Sequence, residues 1–227
     1  MVNNIENVIN GDPLNLESEA LSASGVPPPD IDTYKGKFDL IQKKLTEQIS
    51  LSDDLLILSR QVFKWLWKEK PERYKRKGSY RLNEVIDLQL SEDSQEVGNC
   101  LGLTVFYNCL LKRMGIDAGA LFLEHAFDRG PHVLTRISIG DLSIDVENIF
   151  QDGFNYRGHL KNPNRLRWGD RELVADIYLS LGNEFFKRDR FREALTVYEK
   201  AILLNPEFEK AQLNRTIVFE KLTENSI

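Results

Sequence analysis

From Cys100 to Leu111 the chain carries no charged side chain. Lys112 and Arg113 then arrive together, just ahead of Met114 and Gly115. Within this stretch Leu103, Phe106, Tyr107, Leu110, Leu111 and Met114 recur at intervals of three and four. That is the period of a helix buried against a core. Basic residues in its last turn and a glycine beyond it predict where it stops. The fold must therefore be built around an apolar helix whose N-terminus lies at or near Cys100.

A thiol in that position has chemical potential. Unpaired N–H groups and the positive end of the helix dipole favour an anion there. Such surroundings lower a thiol's pKa, and the same N–H groups can steady an oxyanion. The plainer reading makes Cys100 a small inert core residue, and Cys109, in mid-helix, is read as core packing.

His132-Val133-Leu134-Thr135-Arg136-Ile137-Ser138-Ile139 reads as a strand, Gly140-Asp141 as a turn and Leu142-Ser143-Ile144-Asp145-Val146 as the returning strand. The pairing bears on which acid meets His132. A two-residue loop at Gly140-Asp141 pairs Ile139 with Leu142. It makes Glu147 a diagonal neighbour of His132 and leaves Asp145 too far away, at roughly 3.4 Å per residue. A loop at Ile139-Gly140, or a bulge near the turn, puts Glu147 opposite His132 and Asp145 on the diagonal. An acid in either place could fix the imidazole's tautomer and stabilise its charged form. The alternative is a strand-end histidine with an ordinary hydrogen bond.

Gly98-Asn99-Cys100 ahead of an apolar helix ending Leu110-Leu111-Lys112-Arg113-Met114-Gly115-Ile116, then the strand opening at His132 and the strand end Ile144-Asp145, resemble the transglutaminase-like superfamily over about residues 80–150. The resemblance implies an α+β, papain-like core of helices packed on a small antiparallel sheet. It also implies a triad of Cys100 as nucleophile, His132 as base and Asp145 as orienting acid, and it favours Asp145 over Glu147. Asn99 would assist the oxyanion. Leu101 and Leu134 stand where many members carry tryptophan, and Asn99 where glutamine is common, which favours hydrolysis over protein cross-linking.

A second pattern runs from Ala175 to Pro206. Tyr178, Leu181, Gly182 and Phe185 fall on one helical face, and Ala194, Tyr198 and Ala201 on another, with Pro206 closing the unit. This segment resembles a tetratricopeptide (TPR) repeat, whose small residues allow paired helices to approach closely. A further helix over Glu207–Leu222 makes about one and a half repeats. A single repeat cannot cover its own apolar face, so these helices are expected to pack on the rest of the chain or to hold a protein partner.

The expected organisation is a mobile tail over 1–33, a transglutaminase-like domain over 34–168 and all-α TPR-like helices over 169–227. The tail reading rests on Pro27-Pro28-Pro29 and few aromatics. Residues 34–48 read as helical, and Ser52-Asp53-Asp54 caps a helix running to about Glu69. The cluster Lys68, Lys70, Arg73, Lys75, Arg76, Lys77 and Arg81 reads as a solvated basic turn. With a formal charge of −5 over 227 residues, no nucleic-acid partner is expected. No signal peptide and no apolar run long enough to span a bilayer are read, so no membrane partner is expected. Two cysteines suggest no disulfide framework and a cytoplasmic setting. No phosphate-binding or dinucleotide loop is present, and no cofactor is expected. No metal is expected either, because Cys100, His125, His132 and Asp145 lack short ligand spacing, and His159 has no assigned role. Two functions follow: a cysteine-nucleophile hydrolase or acyltransferase acting on an amide or ester of a peptide or protein, or a non-catalytic interaction module.

Overall fold

The computed structural model describes residues 14–128 and 130–224. The chain runs through four helices, α1 (Leu16–Ala23), α2 (Ile31–Gln48), α3 (Leu55–Glu69) and α4 (Leu82–Leu90), before the predicted apolar helix α5 (Cys100–Arg113). Strands β1 (Ala118–Leu123), β2 (His132–Ile139), β3 (Leu142–Val146) and β4 (Arg165–Trp168) follow. Helices α6 (Asp170–Lys187), α7 (Phe191–Leu204) and α8 (Glu209–Glu224) end the described chain. The strands form one antiparallel sheet in the order β3-β2-β1-β4. The architecture is α+β, as the sequence implies.

Helix α5 is the centre of the core. Every residue from Leu101 to Leu111 is buried. Phe38 of α2 packs on Phe106, with ring centroids 5.1 Å apart, and Phe63 of α3 meets Tyr107 edge-on at 5.9 Å. Burying Tyr107 leaves its hydroxyl in need of an acceptor, and it donates to the carbonyl of Ser59 at 2.8 Å. A buried polar chain stitches α5 to the sheet. Asn108 Nδ2 donates to the Gly119 carbonyl, Thr135 Oγ1 donates to Asn108 Oδ1, and Asn148 Nδ2 donates to both Thr135 and Thr104 hydroxyls. Such a network fixes the rotation of the helix on the sheet, because each partner lost would leave a desolvated polar group.

The helix α3 cap is as read: Asp54 Oδ1 accepts from the N–H groups of Leu56 and Ile57. The hairpin takes the two-residue loop, with Ile139 opposite Leu142.

Two expectations need correction. The first is the mobile tail, whose residues 1–13 lie outside the described residues. Within the rest, Leu16, Ala20, Leu21 and Ala23 bury one face of α1, capped by Asn15, whose side chain accepts from the Ser18 N–H. The apolar spacing and the cap were present in the sequence, and the proline run beyond them only starts the next helix. Glu17 of α1 takes both Nε and Nη2 of Arg113, at 2.6 and 2.7 Å. The second is the solvated basic turn. Lys70 and Arg73 point inward, 6% and 2% exposed. Lys70 Nζ donates to the carbonyls of Ser91 and Ser94, and burial lowers the Arg73 guanidinium to about 9.

The C-terminal helices share one continuous core with the rest of the protein. Gly182 of α6 lies under the Tyr198 ring of α7, where a Cβ would come within 2.3 Å of a ring carbon. Asn183 Oδ1 accepts from the Tyr198 hydroxyl and from Asn214 Nδ2, both at 2.8 Å, which ties α6, α7 and α8 together.

Candidate active site

Cys100 opens α5. Asn99 is its N-cap, and Asn99 Oδ1 accepts from the Gly102 N–H at 3.0 Å. The N–H groups of Cys100 and Leu101 have no partner within the helix, and the positive end of its dipole lies at Cys100.

His132 is the first residue of β2 and is 7% exposed. Its Nε2 donates to Glu147 Oε2 at 2.8 Å. The Cys100 side chain lines the same cleft and acts on the imidazole's charge. Burial pulls the imidazole's pKa down, but the nearby Cys100 side chain and the Glu147 bond more than reverse this and raise it from 6.5 to about 9.

Glu147 is fully buried and sits just past the end of β3, where the chain turns back on itself and Gly153 accepts the Glu147 N–H. Burial would raise its pKa, yet the hydrogen bonds from His132 and His159 outweigh burial and hold it below the ordinary 4.5. Its second oxygen, Oε1, accepts from the Ile149 N–H at 3.4 Å.

Asp145 does not reach His132. It lies opposite Arg136 in the hairpin and bonds Arg165 at 2.7 Å. The two-residue loop is the reason: in that register Asp145 is too far along β3, and the acid left for His132 is Glu147. Of the two acids the sequence leaves open, Glu147 meets His132 and Asp145, which the resemblance favours, does not.

The structure adds a residue with no role assigned from the sequence. His159 Nε2 donates to the same Glu147 oxygen at 3.2 Å, from the loop between β3 and β4. Nothing local in the sequence marks it, since the loop's path is set by tertiary packing. His132, Glu147 and His159 present ligand atoms within 4.8 Å of one another, a set that could in principle hold a metal ion. Its carboxylate, however, is already engaged by both imidazoles. His125 lies in the loop after β1, where its carbonyl accepts from Asn162 Nδ2.

Phe127 closes the top of this cluster. Its ring meets His132 edge-on at 5.4 Å and His159 at 4.7 Å. To do so it takes a positive φ of 53°. That conformation is strained for a bulky side chain and is held by the surrounding rings. The ring keeps water from the His132–Glu147 bond, which strengthens it.

Cys100 and His132 open on a cleft of about 230 Å³. Leu101, Phe122 and Val133 line one side, and Asp176 and Leu179 of α6 with Phe208 and Lys210 line the other. The repeat helices thus form a wall of the site instead of standing apart from it. Asp176 makes no hydrogen bond or ion pair among the described residues. Burial pushes its carboxyl from 3.8 up to about 7, with Lys210 offsetting part of the rise. A raised acid pKa means that the folded state holds the proton more tightly, so stability falls as pH climbs from 3.8 through 7. Asp176→Asn is expected to stabilise the fold above pH 7 by about 2 kcal/mol, cleft water screening the remainder. Below the acid's ordinary 3.8 it should have no effect. Urea denaturation at pH 3.5 and 8 measures both; equal stabilities at pH 8 would contradict the desolvated carboxylate.

A family model for the tetratricopeptide repeat matches residues 175–208, which covers most of α6, all of α7 and the turn into α8. No curated protein and no solved structure matches the chain. Such a repeat supports a role in helical packing or partner binding. No helix among the described residues is long and apolar enough to cross a membrane.

Proposed function

We propose that the protein is a transglutaminase-like thiol enzyme acting on an amide or ester carbonyl of a peptide or protein. The observation that carries the reading is His132, which bonds buried Glu147 and lines one cleft together with Cys100. In this reading His132, protonated at neutral pH because its pKa is raised to about 9, already holds the thiol's proton, and the Cys100 thiolate bonds to the carbonyl carbon. The oxyanion is held by the Cys100 N–H and by Asn99 Nδ2, whose partner oxygen is used in capping. Collapse breaks the C–N or C–O bond, and His132 returns the proton to the leaving amine or alcohol. Water or a second amine then attacks the thioester, its proton passing to His132 as the thiolate departs. Glu147 fixes the imidazole and stabilises its charged form, and His159 keeps Glu147 ionised.

The repeat helices serve this site by closing the cleft over Cys100. Leu213 and Phe219 of α8 stay 61% and 60% exposed, which leaves that helix a surface for a protein partner as well.

The test uses p-nitrophenyl acetate and intact-mass detection. Acetyl transfer to Cys100 is expected in the parent. His132→Ala is expected to slow it by about 10²–10⁴-fold, the range for a lost general base. A folded protein that never acylates Cys100 would point instead to a non-catalytic module that keeps the shape and uses the helices for partners.

A further inference from the structure

A cavity of about 350 Å³ that shares no lining residue with the Cys100 cleft gathers four arginines: Arg60 of α3, Arg136 of β2, Arg157 of the loop before β4, and Arg165 of β4. We infer that this cavity is a binding site for a small anionic molecule, one that carries a phosphate or carboxylate group on an apolar body.

Three observations carry this. The first is charge. Asp145 is the single carboxylate in the lining, and four guanidinium groups face it. Asp145 bonds Arg165 at 2.7 Å and lies 3.9 Å from Arg136, which leaves Arg60 and Arg157 with no acid in the cavity. A purely structural ion-pair cluster holds its charges near balance, because like charges gathered in a partly desolvated space repel. At Arg136, burial first, then Arg167 from outside the lining, and to a smaller extent Arg165 within it pull the pKa down, and Asp145 offsets only part of this.

The second observation is an unused donor. Arg165 Nη1 is buried and bonds nothing among the described residues, while its Nη2 holds Asp145. A buried guanidinium N–H without an acceptor costs free energy, and an oxyanion in the cavity would supply one. Arginine's planar fork suits carboxylate and phosphate oxygens in particular.

The third observation is the rim. Leu142 and Leu160 line the cavity while 47% and 56% exposed. Apolar side chains beside converging arginines fit a ligand with an apolar portion next to its anionic group, as small-molecule sites commonly do.

Calorimetric titration of the full chain tests the inference, with four probes: naphthyl phosphate, naphthoate, inorganic phosphate and the neutral naphthalenemethanol. Saturable binding of naphthyl phosphate or naphthoate is expected, and the stronger of the two identifies the anionic group. Inorganic phosphate should bind more weakly and naphthalenemethanol not at all. Arg165→Gln should weaken the better probe by on the order of tenfold, the value of one lost charge-assisted bond. Because that change also strands Asp145, Arg157→Gln is the companion variant. Arg157 is exposed, so its loss spares the fold, and binding should weaken by several-fold and fall further with added salt. Protein with Cys100 alkylated should bind as the parent does, since the cavity lies apart from Cys100. Equal affinity for the neutral alcohol, indifference to both arginine variants, or loss of binding on alkylation would each overturn the inference. None of these outcomes depends on whether Cys100 acts as a nucleophile.

Discussion

Glu147→Gln is expected to drop the His132 pKa from about 9 to below its ordinary value. The amide keeps the shape but not the charge. Burial, which lowers an imidazole's pKa, is then opposed by the nearby Cys100 side chain alone. Acylation of Cys100 should fall by about 10²–10⁴-fold, since a neutral partner no longer stabilises the imidazolium. Asp145→Asn is the matched control. Asp145 bonds Arg165 and not His132, so it should leave the His132 titration where it is. Carbon-detected NMR titration of the His132 ring reads the difference directly, and equal shifts in both variants would contradict the assignment.

The same pair gives stability a pH window. His132 is raised on folding, so its contribution is complete below 6.5 and lost as pH rises through about 9. Glu147 is lowered, so its contribution is present above 4.5 and lost as pH falls through its folded value. The pair stabilises most between those two ordinary values. In Glu147→Gln the decline on the alkaline side should flatten.

Gly102→Ala should destabilise the protein by about 1–3 kcal/mol, the usual cost of overpacking. A propensity argument gives the opposite sign, because alanine is better than glycine in a helix by about 1 kcal/mol. Packing decides. A Cβ at position 102 would stand 2.4 Å from the Ser79 carbonyl oxygen and 2.9 Å from a Val85 methyl. The first of these is backbone and already accepts the Asn99 N–H at 2.9 Å, so it cannot swing aside. The N-terminus of α5 would have to move, and Cys100 with it. Thermal unfolding should fall by roughly 3–10 °C for a chain of this size, and Cys100 acylation should slow as well. An unchanged melting temperature would show that the segment around Ser79 yields freely.

The elements that were legible in the sequence are those set by local pattern. The apolar period and flanking charges bounded α5, the β-branched run and Gly140-Asp141 bounded the hairpin, and Asp54 marked the start of α3. Cys100 and His132 were legible for the same reason, since each opens such an element. Glu147 was legible only as one of two acids, because a one-residue change in the turn exchanges them. His159 was not, because it reaches the site on an irregular loop whose path depends on Phe127 and Tyr156 packing around its ring. The inward turn of Lys70 and Arg73 was hidden because composition cannot say which charges find carbonyl acceptors inside a fold. The same holds for α6: its repeat pattern showed which face meets α7, but not that Asp176 and Leu179 would face Cys100 across a cleft.

The measurement that tests the central claim most directly is the rate of iodoacetamide alkylation at Cys100 from acidic to alkaline pH, in the parent and in His132→Ala. Cys109 is 2% exposed and serves as the internal control. The account predicts rapid alkylation at neutral pH and a collapse of the neutral rate in the variant. Slow alkylation in both proteins, rising only with the titration of an ordinary thiol at about 8.5, would contradict a working Cys100–His132–Glu147 site.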